Sequence, residues 1–120
     1  QVLNADFIFL IGQRFKIQSS DTMKSWKHIP FFIFKDFEDF NSHRPYNCPL
    51  IGIELLPDAI PIKQFIHPKQ ACYILGAEDN GLTKECLDKC QHIISLPGKR
   101  SLNVSVAGSI VLYDRLMKTT

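Results

Sequence analysis

The sequence predicts an α/β fold, a mainly parallel sheet flanked by helices. Three observations carry that expectation: short apolar runs recur along the chain, they are continuous rather than alternating, and helical signals lie between them. Continuous runs mark strands covered on both faces, as in parallel sheets, and strand–helix alternation is the pattern of α/β layering. The 120 residues suit one compact domain, 1–120, rather than two.

The first run, Asp6-Phe-Ile-Phe-Leu-Ile-Gly12, is short, apolar and closed by glycine, which reads as a buried strand. Phe31-Phe-Ile-Phe34 and Leu50-Ile-Gly-Ile53 have the same character. Ala71-Cys-Tyr-Ile-Leu75 ends at a glycine, and His92-Ile-Ile-Ser-Leu96 ends at Pro97. Between them, Asp36-Phe-Glu-Asp-Phe40 spaces its aromatics for one helix face. Thr83, followed by Glu85 and Leu87, is a candidate N-cap. From about Asn103 to Lys118, residues Val104, Ala107, Ile110, Val111, Asp114 and Leu116 fall near helical spacing, and Arg115 and Lys118 suit a helix C-terminus.

Composition bounds the function classes. Apolar residues make up 45% and charged residues 22%, ordinary globular usage that argues against disorder. A net charge of +2 leaves nucleic acid open, since a local basic face matters more than the total. No apolar run approaches the roughly 20 residues of a membrane span, and no signal peptide is visible. Cys48, Cys72, Cys86 and Cys90 form no CxxC pair; Cys72 reads as a small buried hydrophobe. Cys86 and Cys90 share a helix near His92, but a zinc site would need ligands arriving from elsewhere. The expectation is a reduced, cytoplasmic protein without a metal or a membrane.

Between the first two runs lies a basic stretch, residues 13–28. It carries Arg14, Lys16, Lys24, Lys27 and His28, interleaved with Phe15, Trp26 and the hydroxyls of Ser19, Ser20 and Thr22. Cations neutralise phosphates, hydroxyls bond to phosphate or ribose, and aromatics stack on bases, so this is a candidate RNA contact. A solvated loop whose rings pack down is the competing reading.

Two glycine-centred features are sharper. In Ile74-Leu-Gly-Ala-Glu-Asp-Asn-Gly-Leu82 a strand ends at Gly76, and Gly81 permits a tight turn before Thr83 opens a helix. Ligands of open α/β sheets bind at such strand ends. Glu78 either fastens the loop or orients a substrate. The chain carries neither GxxxxGK[ST] nor GxGxxG, which disfavours nucleoside triphosphates and the usual dinucleotide fingerprint. The second feature runs from Ile94-Ser-Leu-Pro-Gly98 through Lys99 and Arg100 into Ser101-Leu-Asn-Val-Ser105 and the small residues Ala107, Gly108 and Ser109. Small residues weaken a helix unless something must approach closely, whether a backbone, a ligand or another helix.

Together, Leu75-Gly-Ala-Glu-Asp-Asn-Gly-Leu82 and Ile94-Ser-Leu-Pro-Gly…Ser101-Leu-Asn-Val-Ser105, eleven residues apart and in that order, resemble the second and third motifs of the SpoU/TrmH-like branch of the SPOUT methyltransferases. The resemblance covers roughly residues 6 to 116. It implies a C-terminal deep trefoil knot and an enzyme that uses S-adenosyl-L-methionine to methylate a ribose 2′-hydroxyl of tRNA or rRNA. Carried over by motif, Gly76, Leu96 and Leu102 bind the donor, with Ser101 and Ile53 nearby, and the two leucines wall the adenine. Asn103, Ser105 and Glu78 match positions that shape the reaction site, and Lys99 and Arg100 meet phosphate. The sulfonium is already a good leaving group, so the chemistry needs no metal. A homodimer formed through the knot region is implied as well.

One family feature is missing. No Asn-x-Gly…Arg segment, the source of the arginine favoured as hydroxyl activator, precedes the first run; Gln1-Val-Leu-Asn-Ala-Asp6 begins about where it should end. Asn4 is no substitute, and Arg14 lies on the wrong side of the strand. The expectation is therefore a domain truncated at its N-terminus. The alternatives are a non-catalytic RNA-binding module on the same fold, a doubly wound nucleotide or flavin domain, which would not explain the paired loops, and a plain dimerisation module.

Overall fold

The computed structural model describes residues 8–11, 31–76, 81–97 and 104–119. The chain divides into two compact units, Gln1–Pro45 and Tyr46–Thr120.

In the first unit β1 (Ile8–Ile11) pairs in parallel with β2 (Phe31–Phe34), Ile8 opposite Phe31 and Ile11 opposite Phe34. Helix α1 (Phe37–Ser42) starts at Asp36, whose carboxylate accepts the Asp39 N–H at 2.8 Å. Glu38 and Asp39 in its first turn complement the helix dipole. Phe40, 1% exposed, stacks on Phe9 with centroids 4.3 Å apart and meets Phe34 edge-on at 5.5 Å. The aromatic spacing thus marks the buried helix face. The expectation that every apolar strand is covered on both faces fails at β2, where Phe32 is 47% and Ile33 64% exposed. The ring cluster around Phe34 covers the end of β2 and leaves its middle open.

The second unit holds β3 (Leu50–Ile53), β4 (Ile60–Pro61), a 3₁₀ turn (Ile62–Gln64), β5 (Cys72–Leu75), α2 (Lys84–Lys89), β6 (His92–Ser95) and α3 (Val104–Thr119). The four strands form one sheet in the order β4-β6-β3-β5, with every pairing parallel. All four residues of β3 are buried, as a central strand with continuous apolar sequence should be. β4 is too short to read from hydrophobic pattern, and Pro61, which has no N–H, is tolerated at the sheet edge.

Alternation along β3 sends its side chains to two faces. Ile51 and Ile53 join Ile62, Phe65, Ile94 and Val111 of α3 in one core. Gly52 faces the other way: a Cβ there would lie 3.0 Å from Cys90 Sγ and 3.0 Å from Leu82 Cδ1, so glycine admits the α2 layer. Thr83 caps α2, its hydroxyl accepting the Cys86 N–H at 3.2 Å, as its position predicted. Cys90 Sγ donates to the Cys86 carbonyl at 3.3 Å. A hydrogen bond with Cys90, with burial adding to it, pushes the Cys86 thiol far up, so it stays protonated and inert. Cys72 is 3% exposed, a buried hydrophobe as expected.

Helix α3 docks through Ala107 and Val111, which are 6% and 0% exposed. One turn further along that face come charged residues, and each finds a partner. Asp114 Oδ2 lies 2.7 Å from His67 Nε2 and 3.0 Å from Lys118 Nζ. Lys118 also donates to the Ile62 and Phe65 carbonyls at 2.6 and 2.9 Å, which uses all three of its N–H groups. Arg115 donates to the Pro68 and Lys69 carbonyls at 2.7 and 2.6 Å, and to the Tyr73 hydroxyl at 3.0 Å. The Tyr73 hydroxyl also shares a hydrogen bond with His67 Nδ1, 2.6 Å away. Lys118 stands in the last turn as its position predicted, and both Arg115 and Lys118 also serve carbonyls of the segment between β4 and β5. No helix among the described residues is long and apolar enough to cross a membrane.

Burial alone would raise the Asp114 carboxyl, but the hydrogen bonds from His67 and Lys118 outweigh it and hold the group below its ordinary value. Stability from a depressed carboxyl is present above about pH 4, where an unfolded Asp titrates, and is lost as pH falls through the folded value. Urea unfolding at a series of pH values should show D114N well below wild type at neutral pH and converging on it in acid. His67→Ala should cost about 2–4 kcal/mol in the same assay, because it leaves a cavity and strips partners from Tyr73 and Asp114.

Candidate functional site

Because β5, β3 and β6 are parallel neighbours, their carboxyl ends lie along one edge. Ile53, the last residue of β3, pairs with Leu75 on one side and Ile94 on the other. At a strand spacing of about 5 Å, the three ends fall within roughly 10 Å of each other. Gly76 follows β5 directly and Leu96 follows β6 directly. Ile53 is 7% exposed, and Leu75 and Leu96, both half-buried, pack against the same core. The edge is thus apolar where its side chains meet the core, and loop backbone borders it.

The first glycine feature is tight at its base. A Cβ on Gly76 would come within 2.6 Å of the Leu82 nitrogen and would overlap the Gly81 backbone outright. Neither partner is the end of a flexible side chain, so the contact demands glycine. Gly81 itself has φ +64°, in the left-handed region that disfavours other residues. Its missing Cβ faces the Glu54 carboxylate, and Glu54 Oε1 accepts the Leu82 N–H over 3.4 Å. Glu54 is anchored in turn, its own N–H donating to the Ile94 carbonyl at 3.0 Å.

Of the residues singled out from sequence, the structure brings Ile53, Gly76 and Leu96 to this edge. Ser105 is the second residue of α3. Glu78, Lys99, Arg100, Ser101, Leu102 and Asn103 lie outside the described residues, as do Arg14, Lys16, Lys24 and Lys27 of the basic stretch. Among the small residues of α3, Ala107 is buried in the core, whereas a Cβ on Gly108 would meet nothing within 4 Å. Close approach therefore explains Gly76 and Gly52 but not, among the described residues, Gly108. Glu54 was missed by the sequence reading; a carboxylate placed directly after a fully apolar strand was the available signal. The His67 cluster was missed too, and its signal was Asp114 and Lys118 falling on the same helix face as Ala107 and Val111.

Comparison with known proteins gives this edge a context. The model of the SpoU rRNA Methylase family matches residues 1–113. The 23S rRNA (guanosine-2'-O-)-methyltransferase RlmB of Acinetobacter baylyi is 32% identical over 68 residues, covering 54% of this chain and 27% of that protein. The tRNA (guanosine(18)-2'-O)-methyltransferase of Escherichia coli K12 is 29% identical over 107 residues, covering 86% of this chain and 47% of that protein. The chain therefore spans less than half the length of these two curated relatives. Among solved structures, the AdoMet-bound rRNA methyltransferase from Sinorhizobium meliloti superposes with a TM-score of 0.85 at 22% identity, over 99% of this chain and 48% of that one. The SpoU methyltransferase AviRb from Streptomyces viridochromogenes gives 0.84 at 17% identity, over 98% of this chain and 50% of that one. These likenesses establish a shared fold, a mainly parallel sheet flanked by helices. With a family match that spans nearly its whole length, the chain belongs to the SpoU rRNA methylase family.

Proposed function

We propose that this chain forms the S-adenosyl-L-methionine-binding part of an RNA methyltransferase that acts on a ribose 2′-hydroxyl of tRNA or rRNA. The observation that carries the reading is the meeting of Ile53, Gly76 and Leu96 at the shared end of three parallel strands, where Gly76 admits no side chain. Both curated relatives are named as guanosine 2'-O-methyltransferases, one of rRNA and one of tRNA, and one structural neighbour is AdoMet-bound. The apolar edge and glycine-lined backbone fit the donor's adenosine, with Gly76, Leu96, Ser101, Leu102 and Ile53 holding it. A bound sulfonium there would supply an activated methyl group.

The remaining chemistry belongs to the chain. A ribose hydroxyl is weakly acidic, so the protein must orient it and help remove its proton. Asn103, Ser105 and Glu78 take that part. Arg14, Lys16, Lys24, Lys27, Lys99 and Arg100 take the phosphates of the RNA. The deep trefoil knot, with α3 threaded through a loop, belongs to the same proposal, as do residues 1–120 acting as one domain and a cytoplasmic setting. So does a homodimer: Val106, Tyr113 and Met117, 48%, 56% and 57% exposed, line one outer stripe of α3 at helical spacing.

Calorimetry of the intact protein with S-adenosylhomocysteine should show binding, and labelled methyl donor should be incorporated into bulk tRNA or rRNA as nucleotides resistant to alkaline cleavage. RNA binding without incorporation would favour the non-catalytic module, and flavin or nucleotide binding in place of the homologue would overturn the assignment. Gly76→Ala should weaken S-adenosylhomocysteine binding by about tenfold or more, since displacing packed backbone typically costs about 1–3 kcal/mol.

A further inference from the structure

We infer that Glu54 is a positioning residue for the methyl donor, acting through the base of the loop that follows β5; this rests on the donor-binding reading above. Glu54 is the first residue beyond β3, at the edge where the donor-binding residues meet. Its backbone is fixed by the Ile94 carbonyl of β6, and its side chain turns towards the opposite neighbour, β5. There Oε1 accepts the Leu82 N–H and lies where a Gly81 side chain would project. The Gly81 and Leu82 backbone in turn lies directly against Gly76. Contact thus runs from β6 through Glu54 and Gly81 to Gly76, and so to the face offered to the donor.

Two features distinguish Glu54 from an ordinary exposed carboxylate. Glu54 is half-buried, and a partly desolvated carboxylate is costly unless it gains specific bonds. The left-handed φ of Gly81 holds the Leu82 N–H towards the carboxylate while leaving the space beside it clear. What the position requires is an acceptor of this length. The negative charge is secondary, which makes Gln the conservative variant and Ala the disruptive one.

The test uses the intact protein. Titration of S-adenosylhomocysteine into E54A should show a loss of affinity of about five- to tenfold, the worth of one hydrogen bond. E54Q, which keeps the acceptor oxygen, should stay within about threefold of wild type. In steady state, KM for the donor should rise in E54A while KM for RNA stays unchanged, a split that general destabilisation does not produce. E54A binding like wild type would overturn the role. So would equal losses in both variants that track their unfolding midpoints. If wild type itself fails to bind the homologue, the donor reading falls and the role of Glu54 falls with it, an outcome distinct from a variant that binds normally.

Discussion

Asp114, Arg115 and Lys118 leave α3 within little more than one turn, and all reach the stretch between β4 and β5, which includes His67, or Tyr73 just beyond it. Such a cluster fixes a helix more narrowly than apolar contact can. Val111 and Ala107 would tolerate a small slide along the sheet, because dispersion is non-directional. A hydrogen bond near 2.7 Å to a fully enclosed imidazole would not. The helix of 16 residues is about 24 Å long, and about 15 Å of it lies before Asp114. Its other end begins at Val104, so the polar contacts near the C-terminus orient the whole rod.

The sheet contributes the second constraint. Parallel pairing in one register aligns the exits of β5, β3 and β6, and every residue that leaves those exits inherits the alignment. Antiparallel strands would scatter the same segments to opposite edges. The glycines complete the arrangement by removing atoms: Gly52 lets the α2 layer settle on β3, and Gly76 lets the Gly81 turn close against β5. Among the described residues, this edge is therefore built from backbone proximity. The cysteines fit the same picture, Cys86 being buried, bonded to Cys90 and held protonated.

Much of the fold was legible in the sequence. Continuous apolar runs marked five strands, aromatic spacing marked α1, Thr83 marked the start of α2, and glycine marked the tight turn after β5. These signals are local, since backbone preference and burial pattern act over a few residues. Pattern gave no warning of β4, whose two residues are held by pairing with β6. Nor did it show that Phe32 and Ile33 stay exposed, because an apolar run states what can be buried and not what arrives to cover it.

The chain's own order of residues determined the layered class, the identity of the glycine loops and the family they belong to, because each is written in spacing over a short stretch. Tertiary structure alone decided which distant groups meet: Glu54 with Leu82, His67 with Asp114 across 47 positions, and Lys118 with Ile62 across 56. Long-range polar pairing leaves almost no local trace. A carboxylate or an imidazole has many possible partners in sequence, and only the folded backbone brings one of them within hydrogen-bonding distance.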